Sequence, residues 1–112
     1  MVEVTMFSDR SGDLVGFTTR GHAGYADAGQ DIVCAAVSAL TINCMNSIEQ
    51  FCSDYFVQNM NPETGEVDFQ IEAEKVSASA ELLLQSLALG LQSIEAGYGT
   101  EFIHITMMKQ EV

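Results

Sequence analysis

Cys34 is the residue best placed for nucleophilic chemistry. It follows Asp31, a residue type that favours the N-cap of a helix, so it falls at about the third helical position. Unpaired backbone N–H groups and the positive end of the helix dipole stabilise a thiolate in such a first turn. The residues alone also allow a buried structural cysteine, because cysteine is among the most buried residue types.

His22 is the candidate acid and base for this thiolate. One imidazole can accept the thiol proton and later protonate the leaving amine. His22 stands near the start of the glycine-rich segment 21–30, which we predict to be a mobile loop beside Cys34. A His and a Cys at this spacing are a weak signal, so an exposed loop histidine is the alternative. Asp31 either orients His22 or only caps the helix.

The remaining cysteines and His104 have weaker prospects. Cys44 lies on the apolar stripe of the predicted helix and is expected to be a small core residue. Cys52 lies near the end of that helix, where the negative end of the dipole raises the pKa of a thiol. His104 belongs to an alternating strand and is expected to face water. Ser38, one helical turn beyond Cys34, lines a cleft or contacts solvent.

No metal or nucleotide motif is present in the sequence. His22, Asp31 and Cys34 are possible metal ligands, but closed zinc sites usually show two close ligand pairs, and neither C-x-x-C nor H-x-x-x-H occurs. There is also no G-x-x-x-x-G-K-[ST] and no G-x-G-x-x-G after a strand. We therefore expect no metal and no other cofactor.

Composition and charge restrict the class of protein. The 112 residues are 47% hydrophobic and 18% charged, as in one folded domain with a modest core. Sixteen acidic residues oppose four basic ones, a net charge of −12 that favours basic partners and disfavours direct nucleic-acid binding. No basic region followed by an apolar run and no obvious membrane span are seen, and the three cysteines fit a reducing compartment. We expect a cytoplasmic protein without a membrane segment.

Hydrophobic periodicity predicts seven elements in the order ββαββαβ over a single domain, residues 1–112. Two helices should pack on one face of a mainly antiparallel sheet, an α+β two-layer sandwich within the α/β class. Phe7 and Phe56 leave strand surface that a partner subunit could cover. The predicted elements are a hairpin over residues 2–20, a helix capped by Asp31, strands at 55–60 and 66–72, a helix capped by Ser77 and stopped by Gly97 and Gly99, and a strand at 102–108.

Two motifs closely resemble the ribosomal-processing cysteine protease family, called Prp. The first is G-H-A-G-Y-A at residues 21–26, and the second is D-I-V-C-A-A-V-S at residues 31–38, at the family's spacing. The chain length and element order also agree. The resemblance implies that Cys34 is the nucleophile and His22 the proton acceptor and donor, with Gly21, Asp31 and Ser38 as supporting positions.

The resemblance also implies a substrate and an assembly. Family members trim a short N-terminal extension from the large-subunit ribosomal protein L-twenty-seven during ribosome assembly, and they form homodimers. Two alternatives from other classes remain. The first is a non-enzymatic acidic assembly factor that binds a basic ribosomal protein. The second is a redox sensor in which Cys44 or Cys52 resolves an oxidised Cys34, although helix geometry holds these sulfurs apart.

Overall fold

The elements follow the predicted order. The structure, a computed structural model, describes residues 1–21 and 31–110. The order ββαββαβ and the two-layer α+β sandwich are confirmed, and predicted and observed boundaries agree closely. The elements are β1 (Val2–Ser8), β2 (Leu14–Arg20), α1 (Ile32–Phe51), β3 (Phe56–Met60), β4 (Val67–Ile71), α2 (Ala78–Tyr98) and β5 (Ile103–Lys109).

The sheet has the strand order β3-β4-β2-β1-β5. Strands β1 and β5 pair in parallel, and the other three pairings are antiparallel. Period-two alternation gives the sheet one apolar face, because Val2, Val4 and Met6 of β1 are buried while Glu3 between them is exposed. The sheet therefore has one buried face and one face that is largely open to water.

Both helices contribute to the hydrophobic core on the apolar face of the sheet. The core centres on Phe17, which is fully buried and stacks on Phe69 with ring centroids 5.5 Å apart. The buried stripe of α1 contains Val33, Val37, Thr41, Cys44, Met45 and Ile48, at the three- and four-residue spacing of a helix face. This spacing determines which side of α1 faces the sheet. It therefore also determines where Cys34 lies relative to the core.

Helix α1 is long and apolar enough to cross a membrane, by the criteria of length and composition. The sequence was expected to contain no such stretch. A core helix of a globular protein meets the same criteria, and the stripe of α1 that contains Val33 and Ile48 is buried in the core. Core packing therefore accounts for the buried third of this apolar helix.

The predicted stop of α2 at Gly97 was wrong, whereas the stop at Gly99 is confirmed. Gly97 lies inside the last turn of α2, which ends at Tyr98, and Gly99 with φ of 110° follows as the C-cap. That Phe7 and Phe56 leave strand surface for a partner subunit stays a prediction. The Phe56 ring lies 5.0 Å from that of Phe69, whereas Phe7 lines a cavity with Val57 on the open face.

Candidate active site

The first turn of α1 positions Cys34. Asp31 is the N-cap, and its Oδ1 accepts hydrogen bonds from the backbone N–H groups of Val33 and Cys34, each at 3.0 Å. Ile32 is the first helical residue, so Cys34 is the third, as predicted. Because Val33 turns into the core, Cys34 lies at the margin of the buried stripe and is only partly buried.

Cys34 lines a cleft of about 90 Å³ between α1, the sheet and the β3–β4 turn. The cleft combines small polar side chains with backbone from two glycines. Ser38 lines it, one turn beyond Cys34, on the side that the helical spacing predicts. The lining residues are Val2, Thr19, Gly21, Cys34, Val37, Ser38, Thr41, Thr64 and Gly65.

Gly21 reaches the same cleft from the end of β2. Its φ is 83°, and a Cβ atom added to it would lie 2.4 Å from the backbone oxygen of Met1. Only glycine fits this combination of backbone conformation and close approach. Its N–H donates a 3.0 Å hydrogen bond to Oε2 of Glu66, across 45 positions of sequence.

His22 lies outside the described residues, as does the rest of the predicted loop up to residue 30. The role of His22, any contact between it and Asp31, and the mobility of residues 22–30 therefore stay predictions. The structure brings four other predicted site residues to the cleft or its rim: Gly21, Cys34 and Ser38 line it, and Asp31 caps the helix beside it.

Sequence reasoning missed the contribution of the β3–β4 turn to this cleft. The segment N-P-E-T-G at residues 61–65 was predicted to be a turn, and Gly65 indeed has φ of 75°. Thr64 and Gly65 lie opposite α1 because strands β4 and β2 are paired, with Val67 opposite Thr19. No local sequence signal indicates that neighbourhood, since it arises from long-range strand pairing.

The other cysteines differ from Cys34 in their environments. Cys44 is buried in the core, and its Sγ lies 3.6 Å from the backbone oxygen of Leu83. Cys52 is the C-cap of α1, at the opposite end of the helix. A rise of about 1.5 Å per residue puts ten-residue neighbours on a helix some 15 Å apart, so neither cysteine can resolve an oxidised Cys34 without loss of the helix. This geometry argues against the redox-sensor alternative.

We predict that Cys44 resists alkylation in the native protein. Burial raises the pKa of its thiol from 9.0 to about 12, and the nearby Cys52 adds to that shift. The folded protein therefore holds this proton more tightly than the unfolded chain, so the stabilising contribution is present below pH 9 and declines as the pH rises toward 12. Peptide mapping after iodoacetamide treatment at pH 8 should find Cys44 unmodified until urea is added. Rapid native labelling of Cys44 would contradict the buried assignment.

Replacing Asp31 by Ala is expected to lower the free energy of unfolding by about 1 kcal/mol, because the N–H groups of Val33 and Cys34 lose their acceptor. Asp31→Asn is the matched control, since an Asn side chain caps a helix about as well as Asp. Urea unfolding measures both variants. Equal stability of Asp31→Ala and the wild type would show that the cap contributes nothing.

His104 faces solvent, as predicted. Its Nδ1 lies 3.1 Å from Oε2 of Glu95, with about half of the imidazole exposed. The same carboxylate oxygen accepts a hydrogen bond from the Ile105 N–H, so Glu95 covers the edge of β5. Within residues 1–21 and 31–110, no group of three His, Cys, Asp or Glu side chains is arranged to hold a metal ion.

Comparison with known proteins links this cleft to a family. The family model of the cysteine protease Prp matches residues 1–103. The ribosomal processing cysteine protease Prp of Bacillus subtilis is 25% identical over 101 residues, which cover 88% of this chain and 90% of the relative. That of Staphylococcus aureus is 29% identical over 98 residues, covering 88% of this chain and 92% of the relative.

Solved structures agree with the sequence matches. The S. aureus Prp with a covalently linked product peptide superimposes with a TM-score of 0.88 at 28% identity, covering 96% of this chain and 99% of the other. The same enzyme with a substrate peptide gives a TM-score of 0.82 at 27% identity, with the same coverage. Taken with the partly buried first-turn cysteine in its cleft, these matches show that the chain belongs to the Prp family of ribosomal-processing cysteine proteases.

Proposed function

We propose that this protein is a cytoplasmic endopeptidase that removes the short N-terminal extension of the large-subunit ribosomal protein L-twenty-seven. The observation that carries the proposal is the placement of Cys34 at the third position of α1, partly buried and lining a cleft with Gly21. Gly21 is bonded to His22, and consecutive Cα atoms across a trans peptide are about 3.8 Å apart. Gly21, the residue bonded to His22, lines the cleft with Cys34.

In the proposed mechanism, His22 accepts the proton of the Cys34 thiol, and the thiolate attacks the scissile carbonyl carbon. A C–S bond forms, and the carbonyl electron pair moves to oxygen. Collapse of this intermediate breaks the C–N bond, and His22 donates its proton to the departing amine. Water, deprotonated by His22, then attacks the thioester, which releases the new carboxylate and restores the thiol.

The oxyanion of the intermediate needs a hydrogen bond from an N–H group that does not already donate to Asp31. The N–H groups of Val33 and Cys34 donate to the Asp31 side chain, and that of Ala35 donates to the Asp31 backbone oxygen at 3.1 Å. Backbone N–H groups near the start of α1 are the proposed oxyanion donors, and that of Ile32 takes no part in these bonds. A hydrogen bond at the positive end of the helix would stabilise the developing charge.

The acidic surface suits a basic substrate. A net charge of −12 raises the rate of encounter with a positively charged ribosomal protein, and salt should weaken this steering. Several large apolar side chains are exposed on the outer sides of the helices, among them Ile42 on α1 and Leu82 and Leu89 on α2. These exposed side chains support the proposal that the protein forms a homodimer.

The function is tested by incubating the protein with extended ribosomal protein L-twenty-seven and with the same protein lacking the extension. Mass spectrometry should show that one N-terminal peptide is released from the first and that the second stays intact. The alternative, an acidic assembly factor, predicts binding to both proteins without a change in mass. An extended protein that is bound but remains uncut would refute the proposed protease activity and favour that alternative.

A further inference from the structure

Glu66 connects the segment that leads to His22 with the turn that walls the cleft. Its Oε2 accepts the N–H of Gly21 at 3.0 Å, and both Gly21 and the neighbouring Gly65 line the cleft with Cys34. Glu66 is partly buried. A hydrogen bond to a carboxylate is stronger than one between neutral groups, and this one acts on an exposed backbone N–H.

The turn that carries Glu66 is itself held by several hydrogen bonds. The Glu66 N–H donates to Oγ1 of Thr64 at 3.2 Å, and its backbone oxygen accepts from the Asn61 N–H at 2.9 Å. The Asn61 side chain accepts from the N–H groups of Glu63 and Thr64, at 2.9 and 3.2 Å. These hydrogen bonds fix the backbone that carries the Glu66 carboxylate. A residue that positions another group needs such a fixed backbone.

The residue before Gly21 is also bound to β4, because the Arg20 guanidinium donates a 3.2 Å hydrogen bond to the backbone oxygen of Val67. Arg20 forms an ion pair with Asp68 at 2.5 Å, in which both side chains are nearly half exposed. Such exposed pairs contribute little because water and salt screen them. The bond from Gly21 to Glu66 acts one residue closer to His22 and directly on the backbone.

We infer that Glu66 is a positioning residue, which holds the backbone of Gly21, the residue bonded to the proposed acid and base His22. The inference rests on the proposed function, because it assumes that His22 serves Cys34 as acid and base. The physical reason is geometric: proton transfer requires donor and acceptor within hydrogen-bond reach, and small misplacements lower the rate steeply. No contact between Glu66 and the substrate is needed for this role.

Three variants test the inference by cleavage of the extended ribosomal protein. Glu66→Ala should lower kcat on the order of tenfold with little change in KM, because geometry and not substrate binding is impaired. Glu66→Gln should restore most of kcat, since its amide oxygen can still accept the Gly21 N–H. Glu63→Ala removes a carboxylate from the same exposed turn and should behave as the wild type.

A second readout does not depend on the substrate. The rate of iodoacetamide labelling at Cys34 follows its thiolate fraction, and an imidazolium near the sulfur lowers the pKa of a thiol. Glu66→Ala should therefore move the labelling midpoint to higher pH, toward that of His22→Ala, while Glu63→Ala leaves it in place. Urea unfolding should show that Glu66→Ala and Glu66→Gln both remain folded under the assay conditions.

The outcomes separate this inference from the proposed function. A Glu66→Ala variant with the kcat and labelling midpoint of Glu63→Ala would overturn the positioning role, even if the wild type cleaves the substrate. If Glu66→Gln were as impaired as Glu66→Ala, the hydrogen bond to Gly21 would not be the cause, and the inference would also be wrong. If the wild type does not cleave, the proposed function fails, while the labelling shift still decides whether Glu66 positions the base.

Discussion

Replacing Cys34 by Ala is expected to abolish cleavage of the extended ribosomal protein, with a loss of roughly a thousandfold or more in kcat. No other group described in the cleft supplies a thiolate, and the residue change removes only a sulfur. The fold should survive, because Cys34 is partly buried and its contribution to the Asp31 cap comes from the backbone N–H. Mass spectrometry of the products over a time course measures the loss.

The matched control is Cys52→Ala at the other end of α1. Cys52 is also partly buried, and its Sγ lies 3.4 Å from Oγ of Ser79, away from the cleft. This variant should cleave at the wild-type rate. His22→Ala should be nearly as impaired as Cys34→Ala, because the proton would then lack an acceptor and the leaving amine a donor. Cleavage by Cys34→Ala at even a tenth of the wild-type rate would exclude the thiolate mechanism.

Replacing Gly21 by Ala is expected to lower the free energy of unfolding by about 2 kcal/mol or more and to impair cleavage. The added Cβ would lie 2.4 Å from the Met1 backbone oxygen, at a φ of 83° that side chains rarely adopt. Relief requires movement of the Met1 backbone, just before β1, or of Gly21. Either movement disturbs the Gly21 hydrogen bond to Glu66.

Gly12→Ala separates backbone strain from steric clash. Gly12 also has a positive φ, 94°, but an added Cβ there would meet nothing within 4 Å. The Gly12→Ala variant should lose about 1 kcal/mol of its free energy of unfolding from backbone strain alone, and it should cleave the substrate at the wild-type rate. Urea unfolding and the cleavage assay together measure both variants. Equal destabilisation of Gly12→Ala and Gly21→Ala would mean that the close approach to Met1 has no energetic consequence.

Local sequence determined the elements and the place of Cys34 within them. The Asp31 side chain caps α1 through N–H groups only two and three residues ahead, so the third helical position of Cys34 follows from neighbouring residues. Alternation in β1 and the three- to four-residue stripe of α1 likewise depend on residues close in sequence. The motifs around His22 and Cys34 also carry the family resemblance that the comparisons confirm.

The tertiary structure alone decided what surrounds Cys34. The parallel pairing of β1 with β5 and the approach of Thr64 and Gly65 to α1 join residues far apart in the chain. Glu66 meets Gly21 across 45 positions because the pairing of β2 with β4 places Val67 opposite Thr19. Strand register depends on the packing of a whole apolar face, so no local pattern of residues could have identified Glu66 as the partner of Gly21.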